Sequence, residues 1–166
     1  MEKDFLKKIY KVGKVEWIGI RPERRANLST VSEIKVTEEE GIIGDHYKAD
    51  SKKRQVTLIQ KENLQAVASV LGKPSLDPAL TRRNILVSGI NLNALREQVV
   101  QVGDVVLEIT GLCHPCSRME ENFGPGAYQA MRGHGGLTAR VLQGGTISIG
   151  SEVKWLHAIE KEASVK

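Results

Sequence analysis

The chain has 166 residues, 40% of them hydrophobic and 27% charged, a usage that suits one folded unit with its own core and excludes disorder, collagen and coiled coil as organising principles. Twenty-four basic residues are offset by 20 acidic ones along the whole length and aromatics are only 4%, so the net charge of +4 favours a small anionic ligand over nucleic acid. The charged N-terminal stretch lacks the apolar run of a secretory signal and no segment is long enough to span a bilayer, so a cytoplasmic protein without membrane association is expected.

Val12 to Ile20 and Val31 to Val36 carry the β-branched and aromatic residues of strands, separated by Pro22 and the polar Glu23-Arg24-Arg25. Gly41 to Gly44 predicts a tight turn, and Arg54 to Ile59 a further strand. Leu64, Val67, Ala68 and Leu71 then mark one face of a helix that Gly72 and Pro74 end. Asn84 to Ser88 is extended again, and Gly103-Asp104 signals a hairpin before Val105, Leu107 and Ile109 alternate toward one side. Helical composition interrupted by glycines predicts two short helices between Ala127 and Leu142. Ile147, Ile149, Val153 and Trp155 have the period-two spacing of a half-buried strand pair bent at Gly150. Many short strands with few helices between them predict a mainly β domain, a barrel or distorted sandwich, over residues 1–166 with a polar tail from 158 to 166.

The only two cysteines stand together in Cys113-His114-Pro115-Cys116, where the strand ending near Ile109 gives way to a loop. Structural zinc would need a second ligand pair, and beyond His114 the chain offers only His46, His134 and His157. A thioredoxin-like dithiol would follow the first strand of a βαβ unit, which is absent here. A single exposed thiolate that ligates a soft metal or carries sulfur needs only cationic company, and Arg118 supplies one such group, with His114 a potential second. A buried, inert cysteine pair is the competing structural explanation. Arg82-Arg83-Asn84 brings two forked oxyanion donors to the entry of a strand, although this pattern, like Arg54 and Arg140, is also common on plain surfaces. His134 lies in a glycine-flanked loop that could close over a site.

In order along the chain, Gly41 to Asp45 (GIIGD), Arg54 to Ile59 (RQVTLI), Thr81 to Leu92 (TRRNILVSGINL), Val102 to Gly111 (VGDVVLEITG), Cys113 to Met119 (CHPCSRM) and Gly135 to Val153 (GGLTARVLQGGTISIGSEV) resemble the MOSC domain. This β-rich module is named for the C-terminal part of molybdenum cofactor sulfurases, and the resemblance, over about residues 42–153, is to its compact stand-alone bacterial type. It implies a single MOSC domain with a twisted β-barrel-like fold and a few short helices. It also implies binding of the molybdenum cofactor (molybdopterin) by a cysteine thiolate, which by position before Ser117-Arg118 is Cys116, with Cys113 supporting or dispensable. Arg54, Arg82, Arg83 and Arg118 would then meet the cofactor's phosphate and pterin edge, Asn84 would offer an amide, and Asp45 and His46 would join them from the Gly-Asp turn.

The activity so implied is oxygen-atom transfer, or reduction of small N-hydroxylated compounds, with electrons from a redox partner protein. The alternatives are a sulfur carrier, loaded as a persulfide by a sulfur donor such as a cysteine desulfurase, and a non-enzymatic cofactor-binding module. The chain departs from the family pattern at Gly150-Ser151-Glu152-Val153, where Gly-Asp-x-Val is usual, and at His46, where an arginine is usual.

Overall fold

The computed structural model describes residues 2–5, 7–9, 11–46 and 51–159, so most of the predicted polar tail lies outside the described residues. After a short helix α1 (Glu2–Phe5), strand β1 (Gly13–Ile20) buries Val15 and Ile18 completely. Two strands, β2 (Ser29–Val31) and β3 (Glu33–Thr37), replace the single one expected from Val31 to Val36. Their separation at Ser32 sends β2 to the edge of β1 and β3 to another sheet. Gly41 and Gly44 take φ of +71° and +87°, the turn geometry anticipated, with the two-residue strand β4 (Gly41–Ile42) inside it.

Strand β5 (Val56–Gln60) is buried at all five positions. It pairs in parallel with β6 (Ile85–Ser88), a geometry that needs a crossover, and helix α2 (Lys61–Val70) supplies most of it. Strands β7 (Gln98–Val102) and β8 (Val105–Leu112) form the hairpin predicted at Gly103-Asp104.

Helix α3 (Ser117–Phe123) follows the cysteines, and α4 (Ala127–Met131) is the first of the two helices expected between 127 and 142. The second is instead strand β9 (Leu137–Gln143). Its Leu137, Ala139 and Val141 alternate inward between β5 and β8, and that burial outweighs the helical preference of Ala, Arg, Leu and Gln. The predicted final strand pair exists as β10 (Gly145–Ser148) and β11 (Glu152–Ala158), but the two do not pair with each other. β10 joins β3 and β4 in a three-stranded sheet, while β11 pairs with β7 and β1.

The order β11-β7-β8-β9-β5-β6-β1 closes on itself where Gly13 faces Val153 and Lys14 faces Glu152, producing a mainly β barrel. Val15, Ile18, Leu58, Ile85, Leu107, Leu137 and Val153 are among the side chains in its core. A second apolar cluster seats the helices: Met119 and Phe123 of α3 and Met131 of α4 pack with Ile59, Leu64, Val67 and Leu86. Met119 and Phe123 are buried to 0% and 4% exposure, and such burial stabilises by about 1.5–3 kcal/mol for each side chain. Through them the segment carrying the cysteines is fixed to the barrel.

Candidate functional site

Residues 113–116 connect β8 to α3 with neither helix, strand nor turn. Cys113 is 2% exposed, its thiol inside the core, whereas Cys116 is exposed and takes an extended conformation (φ −123°, ψ 175°) just before the first residue of α3. The two thiols therefore occupy different environments, and Cys113, the first of the pair, does not stand at the helix N-terminus where a dithiol motif places its reactive cysteine.

Arg83 holds this connection in place. It is 2% exposed, and its guanidinium donates from Nε to the Gly135 carbonyl (2.8 Å), from Nη1 to that of Thr81 (3.2 Å), and from Nη2 to those of His114 (3.1 Å) and Cys113 (3.5 Å). The Cys113 amide donates to the Gly136 carbonyl at 2.8 Å, so both sides of the cysteine loop are tied to the glycine pair. Side chains would not fit there: a Cβ on Gly135 would lie 2.0 Å from the Cys113 oxygen, and one on Gly136 1.9 Å from the Leu58 oxygen. Burial, and then the Arg54 and Arg21 charges, loosen the Arg83 proton from its ordinary affinity, while Cys113 and Cys116 oppose them.

Asn84 is similarly committed. Its side-chain oxygen accepts from the Thr57 amide (3.2 Å) and hydroxyl (3.0 Å), and its Nδ2 donates to the Gly19 carbonyl (3.2 Å), joining β1, β5 and the start of β6. In this structure the Arg83 guanidinium and the Asn84 amide, expected to face a ligand, are spent on fixed acceptors of the fold, as buried donors require. Both residues position the site.

Arg82, Arg118 and Cys116 do share an electrostatic neighbourhood, and Arg21, absent from the sequence expectations, joins them. Arg82 is partly exposed with a left-handed φ of +62°, and its Nη1 donates to the Ala26 carbonyl at 3.4 Å. Its proton is held less tightly than usual because of burial first, then the Arg118 and Arg21 charges, with Cys116 acting in the opposite direction. The Arg21 Nε is buried and, among the described residues, makes no hydrogen bond; it lies 3.9 Å from Asp45 Oδ1, which accepts the Arg21 backbone amide at 2.7 Å.

Burial raises the Asp45 pKa above the usual carboxylate value, while the Arg21 amide and charge, the Asn84 amide and His46 pull it down. Asp45 is thus a buried anchor for Arg21, and the exposed His46 caps the arrangement by donating its amide to the Arg21 carbonyl. Arg54 is exposed, and its charge acts on Arg83. Arg21-Pro22 closes β1, and the Pro22 break drew the sequence reading away from the arginine before it.

The arrangement concentrates cations around one exposed sulfur, a setting for an oxyanion beside a soft electrophile or metal. Among the described residues no three His, Cys, Asp or Glu side chains converge to hold a metal ion by themselves. A group that brings most of its own metal ligands and needs one thiolate plus cationic anchors fits these residues. Among the described residues no helix is long and apolar enough to cross a membrane.

The MOSC domain family model matches residues 45–154. The fold is similar to the YuaD protein of Bacillus subtilis, at a TM-score of 0.76 and 19% identity over 90% of this chain and 98% of that one. It is also similar to YiiM of Geobacillus stearothermophilus (TM-score 0.71, 16% identity, 87% of this chain and 75% of that one) and of Escherichia coli (0.68, 16%, 89% and 72%). No curated protein matches the sequence. With the barrel, the loop-borne cysteine and a match to most of its length, the chain belongs to the MOSC domain family.

Proposed function

We propose that this protein binds the molybdenum cofactor with Cys116 as the protein ligand and reduces small N-hydroxylated compounds using an external electron donor. The observation that carries this reading is the division of the cysteine pair: Cys116 is exposed among arginines, and Cys113 is walled into the core. Family membership supports it, since the family is associated with this cofactor.

Arg82, Arg118 and the Nε of Arg21 are the groups that would hold the cofactor phosphate. Asp45 fixes Arg21, and Arg83 fixes the backbone on which Cys116 stands. When bound, the cofactor supplies a two-electron redox centre whose metal is already largely ligated by dithiolene sulfur, so one thiolate completes the protein's share. In the overall reaction the N–O bond breaks, two electrons come from a reductant protein, and two protons convert the hydroxylamine to amine and water.

The test is turnover of an aromatic N-hydroxy compound by protein made in a cofactor-producing host, with reduced viologen as donor. Amine formation that disappears in Cys116→Ala and persists in Cys113→Ala is expected; equal rates in all three would overturn the assignment. A second reading, a persulfide carrier, is favoured by the fact that Cys116 makes no side-chain hydrogen bond at the start of α3 and so stands open to a sulfur donor. Incubation with a cysteine desulfurase and intact-mass analysis decides it, because a carrier gains the mass of one sulfur on Cys116.

A further inference from the structure

The outer face of β8 and β9 carries an open depression of about 270 Å³, lined by none of the cysteine-loop residues. Glu108 and Thr110 of β8 form its floor, and Arg140 faces Glu108 directly across the β8–β9 ladder. Two chain segments wall it. Lys53 lies against the floor because the Thr110 hydroxyl donates to its carbonyl, and Ile159 is held by its amide to the Glu97 carbonyl at 2.9 Å.

Four charged side chains, Lys53, Glu97, Glu108 and Arg140, thus line one small space, two of each sign. Opposite charges facing each other across an antiparallel ladder ordinarily meet. Among the described residues no ion pair joins any two of the four, and the Arg140 Nε is buried without a hydrogen-bond partner. Glu97 also holds a left-handed φ of +59°, which for a residue other than glycine costs on the order of 1–3 kcal/mol. A partnerless buried donor carries a cost of about 1–3 kcal/mol. The unpaired charges and the partnerless Arg140 Nε are explained together by a guest that completes both halves of the charge set. A purely anionic guest would leave two glutamates beside it, and a purely cationic one would sit against Arg140.

We propose that this depression binds a free α-amino acid, with its carboxylate on Arg140 and Lys53 and its ammonium between Glu108 and Glu97. Its volume lies at the lower edge of small-molecule pockets, a size for a single metabolite of this kind. The proposal stands independently of what Cys116 binds.

Isothermal titration of the whole chain with L-serine, L-leucine and L-methionine tests it, with N-acetyl-L-leucine and L-leucinamide as analogues that each lack one charge. At least one amino acid should saturate with Kd at or below about 1 mM. Each half-charged analogue should bind at least about tenfold more weakly, since charge-assisted hydrogen bonds are the strong ones. Arg140→Met and Glu108→Gln should each reduce binding by at least as much, and the analogue comparison decides the matter even if a variant fails to fold. Absence of binding by all three amino acids, equal binding of the half-charged analogues, or full binding by both folded variants would each overturn the assignment.

Discussion

Replacing Arg83 with methionine would remove the clamp on the cysteine loop, and its consequences separate a positioning residue from a ligand contact. Methionine keeps the buried bulk but leaves the carbonyls of Gly135, Thr81 and His114, and the more distant one of Cys113, without their donor. Each orphaned buried carbonyl costs about 1–3 kcal/mol, while removal of a buried charge returns several kcal/mol of desolvation. The three close carbonyls outweigh the one charge, and the balance expected is a loss on the order of 1–3 kcal/mol, a sizeable share of the roughly 5–15 kcal/mol that holds a typical domain together.

The assay is urea unfolding of the metal-free protein, paired with thiol titration by a chromogenic disulfide under native conditions. Wild type should show one fast thiol, Cys116, and one protected thiol, Cys113; the variant should unfold at lower urea and release the second thiol quickly. Arg83→Lys, which cannot span four carbonyls, should fall between the two. Unchanged stability with Cys113 still protected would refute the clamp and return Arg83 to the ligand-binding group.

Gly135→Ala tests the same loop from its other side, because the new Cβ would lie 2.0 Å from the Cys113 oxygen; a lowered melting temperature and faster Cys113 modification are expected. Arg82→Gly should raise the stability of the metal-free protein by about 1 kcal/mol, by releasing a left-handed residue from a cluster of like charges, while lowering cofactor retention; urea midpoints and metal content measure the two effects. For Asp45 the folded pKa is raised, so the native state binds its proton more tightly than the unfolded chain. The Asp45 contribution to stability therefore falls as pH rises from the ordinary aspartate value of about 4 through the raised one. Asp45→Asn should lack that decline and gain on wild type over the window in urea midpoints taken at successive pH values, and parallel curves would contradict the assignment.

The sequence carried the barrel's strands wherever burial alternates or is continuous, as in β1, β5 and β8, because those patterns follow from local spacing. It misled at β9, where Ala139, Arg140 and Leu142 favour a helix and only pairing with β5 and β8 decides otherwise. Helix α3 went unread because its apolar signal is a single pair, Met119 and Phe123, on an otherwise polar segment.

At the site, the choice of Cys116 over Cys113 rests on motif position; the difference in exposure between the two thiols could not be read from the sequence. The role of Arg83 was not legible, since its acceptors at Gly135 and His114 stand 52 and 31 residues away and an arginine at a strand entry is ordinarily a surface group. Arg21 was hidden by the Pro22 break and by distance along the chain, since its partner Asp45 lies 24 residues on, beyond β2, β3 and β4.

In the proposed function Cys116 is the one protein sulfur that holds the metal. Elemental analysis of wild type, Cys116→Ala and Cys113→Ala, purified side by side from a cofactor-producing host, tests this most directly. The expected result is near-stoichiometric molybdenum in wild type and Cys113→Ala and its loss in Cys116→Ala; equal molybdenum in all three, or none in wild type, would contradict it.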